Sequence, residues 1–158
     1  MRRAEKEITS REEIDAVINA ATVCRVAMVN AGRPHIVPLS FGYDGACLYF
    51  HSAPEGEKID ILRESPEVCA EFEDGVEIRR GNNACNFSMN YKSVIARGMA
   101  SFVTDPVEKR IGLDCIVRKY ADADVPGFPD AALASVAVIR VRIDSLTGKR
   151  SAKPSAPR

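Results

Sequence analysis

Apolar residues recur along this chain with two periods, and the switches between them mark its elements. In residues 10–21, Ile14, Val17 and Ile18 fall three, four and one apart, which places them on one helix face. Ser10-Arg-Glu-Glu13 ahead of them matches a capping box. An amphipathic helix is predicted there, covering one open end of a sheet. Residues 22–30 are rich in β-branched and apolar side chains, Asn30-Ala-Gly-Arg33 signals a turn, and residues 34–43 read as a second strand. Pro38 sits inside that strand and predicts an edge or a bulge. A bulge would also free backbone groups for a ligand.

Asp44-Gly45 turns the chain into a third strand at 46–50. A helix follows over about 57–64 and stops at Ser65-Pro66. Residues 67–74 alternate partially and read as a fourth strand, turned at Asp74-Gly75, with a short strand at 76–80 and a loop at 81–83. Residues 91–103 read as a long strand, in which Gly98 implies a bulge or the close approach of another group. Asp105-Pro-Val-Glu108 opens a helix to about Tyr120. Residues 121–130 read as an irregular loop, 135–143 as the last strand, and 149–158 as a frayed tail. Tight glycine turns between consecutive strands favour antiparallel pairing. The prediction is a mainly-β, six-stranded antiparallel barrel with peripheral helices, forming one domain over residues 1–148.

Composition narrows the function. The chain has 158 residues, 28% of them charged, with no net charge, so a basic nucleic-acid footprint is not expected. No apolar run reaches the length of a membrane span, and the charged N-terminus has no apolar segment behind it. Five scattered cysteines without a C-x-x-C read as reduced thiols of a cytoplasmic protein. His35 and His51 are the only histidines, and no metal site is expected. Neither a G-x-S-x-G elbow nor a phosphate-binding glycine motif is present. An enzyme built from this chain would borrow its chemistry from a cofactor.

One stretch suits that purpose. Residues 48–53 run as a strand into Pro54 and Gly56 and then a helix start. Unpaired first-turn N–H groups and the helix dipole favour an anion there, with His51, Ser52 and Lys58 adding a titratable ring, a hydroxyl and a cation. The plainer alternative is an ordinary strand-to-helix turn capped by Ser52.

Several pieces occur in a familiar order: Arg25-Val-Ala-Met-Val29, Pro34-His-Ile-Val-Pro-Leu-Ser-Phe41, Leu48-Tyr-Phe-His-Ser-Ala53 with Gly56 and Lys58, Tyr91-Lys-Ser-Val-Ile-Ala-Arg-Gly98, Lys119-Tyr120 and Thr147-Gly-Lys-Arg150. Together with Met1-Arg-Arg3 they resemble the FMN-binding split-barrel family related to pyridoxamine 5′-phosphate oxidase, in particular its nitroimidazole-resistance (Nim) branch. The resemblance implies a homodimer with FMN in a groove between the subunits. Val37, Pro38, Leu39 and Ser40 would lie along the ring and ribityl chain. His51, Ser52, Ala53 and Lys58 would surround the phosphate. Ser93, Val94 and Arg97 would complete the groove, with Arg97 answering the phosphate or the pyrimidine edge. His51 is also the candidate proton donor beside the flavin.

Pyridoxamine-phosphate oxidases carry an aromatic, Arg-rich C-terminal substrate segment. This chain has no Trp, so that substrate is not expected. The implied function is an oxidoreductase that passes electrons or hydride from reduced FMN to a small electron-poor acceptor such as a nitroaromatic. The acceptor would stack near residues 121–130 or 87–91. The alternatives are a flavin- or haem-binding module without turnover, and a deazaflavin-dependent reductase on the same barrel.

Overall fold

The computed structural model describes residues 3–121 and 127–151. Ser10 Oγ accepts the Glu13 N–H at 3.2 Å and so starts the first helix, α1 (Arg11–Ala20). The Glu13 carboxylate does not reach back to complete a capping box. It accepts instead from Arg150 Nη1 at 2.9 Å and pairs with Lys92 Nζ at 3.2 Å, tying the helix start to two distant strands. Ile14, Val17 and Ile18 are buried, as their spacing predicts.

Among the described residues eight antiparallel strands form one sheet: β1 (Glu7–Ile8), β2 (Cys24–Asn30), β3 (Arg33–Leu39), β4 (Gly42–Tyr43), β5 (Cys47–Ser52), β6 (Glu67–Arg79), β7 (Ser88–Val103) and β8 (Ala137–Arg150). Their order is β3-β2-β6-β7-β8-β5-β4, and β1 pairs with the end of β8. The count is eight rather than the six expected, and β1 and β4 are only two residues long.

Val26 and Met28 of β2 share one core with Leu48 and Phe50 of β5, near the other end of the order. α1 and α2 (Glu57–Glu64) contribute to the same core. The sheet therefore wraps around its contents, and the mainly-β split barrel predicted from the sequence is the fold. Each fully buried Leu, Ile or Phe stabilises by about 1.5–3 kcal/mol, so this interior dominates the packing. A second cluster, with Tyr49, Leu113, Ile116 and Val138, lies on the outer face of β5 and β8 beneath α3 (Pro106–Tyr120) and α4 (Asp130–Ser135). Among the described residues no helix is long and apolar enough to cross a membrane.

The departures from the sequence reading have physical causes. The strand expected over 34–43 breaks at Ser40 and Phe41. Phe41 turns fully inward, edge-on to Phe72 with ring centres 4.9 Å apart, and its N–H is taken by the Tyr120 hydroxyl at 3.0 Å. Pro38 faces Arg25 in unbroken register, because β3 is an edge strand and needs no bulge to hold a proline. Asp74-Gly75 is a bulge and not a turn: Gly75 has φ 62°, and β6 continues past it to Arg79. The chain reverses at residues 80–87 instead.

At Gly98 a β-carbon would lie 2.1 Å from the Arg142 carbonyl oxygen, beside a register shift that gives β8 one extra residue, Asp144. The group in close approach is therefore a neighbouring strand. α4 overlaps the end of the expected loop, whose residues 122–126 lie outside the described residues. β8 takes in Lys149 and Arg150 from the stretch read as tail, while residues 152–158 also lie outside them, as do Met1 and Arg2.

Candidate functional site

β5 leaves the barrel through His51 and Ser52, which pair with Val138 and Ala137 of β8. Phe50 points into the core, so alternation puts Ser52 on the inner side and exposed His51 on the outer. The two do not converge on one point. Gly56, at φ 124°, then swings the chain into α2. It is the N-cap, with no side chain bonded there, so the Ser52 cap of the plainer alternative does not form. The Gly56 carbonyl accepts from Ile59 and Asp60, and the first-turn N–H groups of Glu57 and Lys58 have no capping side chain.

The charges around this helix start are unevenly satisfied. Glu57 is drawn aside toward the β2–β3 hairpin, with Oε1 3.4 Å from Asn30 Nδ2 and 3.6 Å from His35 Nδ1. Lys58 is half-buried and has no carboxylate partner among the described residues. Burial lowers its pKa below the ordinary lysine value. A partly desolvated cation thus lies beside an uncapped helix start, an arrangement whose electrostatics favour an anion.

From that junction β3 runs along the sheet edge, paired on one side only. Val37 and Leu39 pack on the core, while Pro38 and Ser40 are exposed. From His35 to Leu39 the strand covers about 13 Å. Lys58, the α2 start and the backbone of residues 37–40 thus follow one another along one edge.

Arg97 lies on the outer face of the sheet, where the register gives the row Ile36, Ala27, Cys69, Arg97 across β3, β2, β6 and β7. It borders a groove of about 320 Å³ shared with Val29, Pro34, Ser65, Glu67 and Cys69. Arg97 is exposed and forms no ion pair among the described residues. Ser93 is half-buried on the same face. Val94 is 0% exposed, faces the core, and its strand is paired on both sides, so it offers a ligand neither side chain nor free backbone.

Sequence reasoning missed the Asn30–His35–Glu57 junction, because three residues far apart in the chain leave no local pattern. The Lys119-Tyr120 pair has no role legible in the sequence. Lys119 Nζ donates to the Ile18 and Asn19 carbonyls, at the C-terminal end of α1, and lies 4.4 Å from the Phe41 ring centre. The Tyr120 hydroxyl donates to the Thr22 carbonyl at 2.9 Å and accepts from Phe41. Together they fix the exit of β3.

A larger cavity of about 600 Å³, bordered by Asn19, Asp44, Asp114 and Cys115, contains none of the expected site residues. Its Asp44 is raised by burial but more strongly lowered by the N–H groups of Ala46 and Cys47 and by the Tyr49 hydroxyl, as suits a turn anchor. Among the described residues no three His, Cys, Asp or Glu side chains are placed to hold a metal ion.

The family model described as pyridoxamine 5′-phosphate oxidase matches residues 10–150. A crystal structure of a provisionally assigned 5-nitroimidazole antibiotic resistance protein from Bacteroides thetaiotaomicron is 36% identical, with TM-score 0.82 over 91% of this chain and 86% of that one. The FAD and heme binding protein of Mycobacterium smegmatis shares the fold at TM-score 0.85 and 21% identity, over 97% of this chain and 77% of that one. An uncharacterised protein of Rhizobium meliloti is 32% identical over 91 residues, 58% of this chain and 53% of its own length.

Proposed function

The chain belongs to the pyridoxamine 5′-phosphate oxidase family, and from that premise we propose that it binds FMN between two copies of itself and acts as an oxidoreductase on a small electron-poor acceptor. The observation that carries the reading is Lys58: half-buried, lowered by burial, without a carboxylate partner among the described residues, and beside the uncapped start of α2. A flavin phosphate satisfies that cation and the free N–H groups together. The edge strand from Val37 to Ser40 supplies unpaired backbone groups for the ribityl chain and the ring. Arg97 supplies a second cation on the outer face, either to the phosphate or to the pyrimidine edge.

Bound FMN supplies one- and two-electron transfer. The residues of this chain bind it, orient it and limit water at its edges. The kinship to a 5-nitroimidazole resistance protein supports a nitroaromatic as the acceptor class. Pyridoxamine phosphate is a poorer candidate, since the chain has no Trp and residues 137–150 carry no aromatic side chain.

The test is the absorption spectrum of the purified protein, followed by FMN titration monitored by flavin fluorescence. Twin flavin bands and saturable quenching are expected. A Soret band would replace the reading with a haem carrier, and a colourless protein without FMN affinity would sink it. Anaerobic reduction with dithionite and mixing with a nitroimidazole then checks turnover, with flavin reoxidation as the expected result.

A further inference from the structure

We propose that the free end of the β6–β7 hairpin, residues 75–90, is an exchanged arm that lies across the outer face of a second copy of this chain and closes the Arg97 groove of that copy. The inference rests on the two-copy arrangement of the flavin reading.

Past Asp74 and Lys92 the ladder continues through Glu77–Asn90, Ile78–Met89 and Arg79–Ser88. No third strand flanks this part among the described residues, since β2 pairs with β6 only at Cys69–Glu71 and β8 reaches no further along β7 than Lys92. An unsupported two-stranded hairpin is marginal in water, and its open edges favour association. Its side chains point the same way. Ile78 is 68% exposed and Met89, directly opposite, 48%; Val76 and Phe87 are 47% and 55% exposed. The tip is nonetheless a built knob: a β-carbon at Gly81 would lie 2.2 Å from Asn86 Cβ, and residues 84–86 form a helical turn.

The occupant follows from symmetry. Val94 faces the core, so alternation puts Met89, Ile95, Arg97 and Met99 on the outer face, together with the groove. A two-fold contact pairs a patch with itself. An axis through that face near Val94 would set residues equally far to either side against one another, and it is the placement that brings two exposed methionines together. Met89 of one copy then meets Met99 of the other, which is 39% exposed. The tip reaches past it to the end of α2 and the start of β6, which carry Glu64 and Glu67 with Ser65 between them.

The chemistry matches at both levels. The groove has apolar walls, including Ala27, Val29 and Pro34, for Ile78 and Met89. Glu64 and Glu67 have no ion-pair partner among the described residues, and neither do Arg79 and Arg80 at the tip. A second copy supplies each with what it lacks.

The test is sedimentation equilibrium at low salt, with FMN titration in parallel. The wild type is expected to be a dimer. Ile78→Asp with Met89→Asp is expected to weaken association at least tenfold. Arg79→Glu with Arg80→Glu, and separately Glu64→Arg with Glu67→Arg, should each do the same, and the four charge changes combined should restore the dimer. Val107→Asp, at an exposed position on α3, is the control and leaves association unchanged. A monomeric wild type, or a dimer indifferent to all the arm variants, overturns the proposal. A dimer that follows the charge-swap pattern but binds no FMN upholds the arm and sinks the flavin reading instead.

Discussion

A half-buried ammonium such as Lys58, without a carboxylate partner among the described residues, carries a desolvation cost that a bound anion would remove. Lys58→Met is therefore expected to weaken FMN binding about tenfold, ~1.4 kcal/mol, while leaving the apo-protein at least as stable as the parent. Isothermal titration and thermal melting check the two halves, and unchanged affinity would count against Lys58. The same burial has a pH signature. Its folded pKa lies below the unfolded one, so the unfolded chain binds more protons between the two values, and Lys58's contribution to apo-stability rises with pH through that window. Comparing the parent with Lys58→Met across alkaline pH isolates this slope; it should vanish in the variant. His51, exposed on the other side of β5 from Ser52, sets a contrast: His51→Gln is expected to leave FMN affinity within about twofold. Tyr120 is the positioning residue of the same edge. Tyr120→Phe strands the Phe41 N–H, at about 1–3 kcal/mol for a buried unsatisfied group, and leaves the exposed Thr22 carbonyl to water. A melting temperature lower by at least about 2 °C is expected for a domain of this size.

Elements were legible where one period persisted and obscure where a polar signal had two meanings. α1, α2 and α3 lie close to where Ile14–Val17–Ile18, the stretch after Gly56, and Asp105-Pro106 placed them. Asp74-Gly75 misled because a glycine at positive φ serves a tight turn and a strand bulge equally, and only the cross-strand register separates them. The second half of β8 was missed because Ser-Leu-Thr-Gly-Lys-Arg150 is polar and glycine-bearing. Its pairing with β7 and β1, not its composition, makes it a strand. Gly98 was read as a bulge or a close approach, and both occur. Its β-carbon position is filled by the Arg142 carbonyl, so Gly98→Ala must separate β7 from β8 rather than shift a side chain. A loss above about 3 kcal/mol is expected, in the range of the severest single substitutions, and denaturant unfolding of the soluble variant checks it. Gly45→Ala, with open space around the β-carbon, pays only for its backbone angle and should cost less.

At the scale of the whole molecule, what the sequence carried was the order of its pieces, which points to a barrel even though no single piece does. What it did not carry was how the barrel's ends are joined, since those contacts link residues more than a hundred positions apart. Arg150 reaches Glu13 on α1, Lys149 and Gly148 pair with Glu7 and Ile8 of β1, and Gly148 has no side chain because a β-carbon there would lie 2.8 Å from Ile8 Cβ. The stretch from Asp144 to Arg150 thus closes the sheet between both chain ends and α1. The same stretch flanks β7 along residues 92–97, the strand that carries Ser93 and Arg97. Ending the chain after Ser145 would remove Leu146 from the edge of the core, uncover Ile8, leave Glu13 with Lys92 alone and expose the β7 edge. The fold would lose more than a frayed tail could account for. Such a truncation is expected to abolish cooperative melting and FMN binding together, checked by circular dichroism and fluorescence titration. A truncated chain that melts like the parent would show that closure at this end is dispensable and that β7 is held by β6 alone.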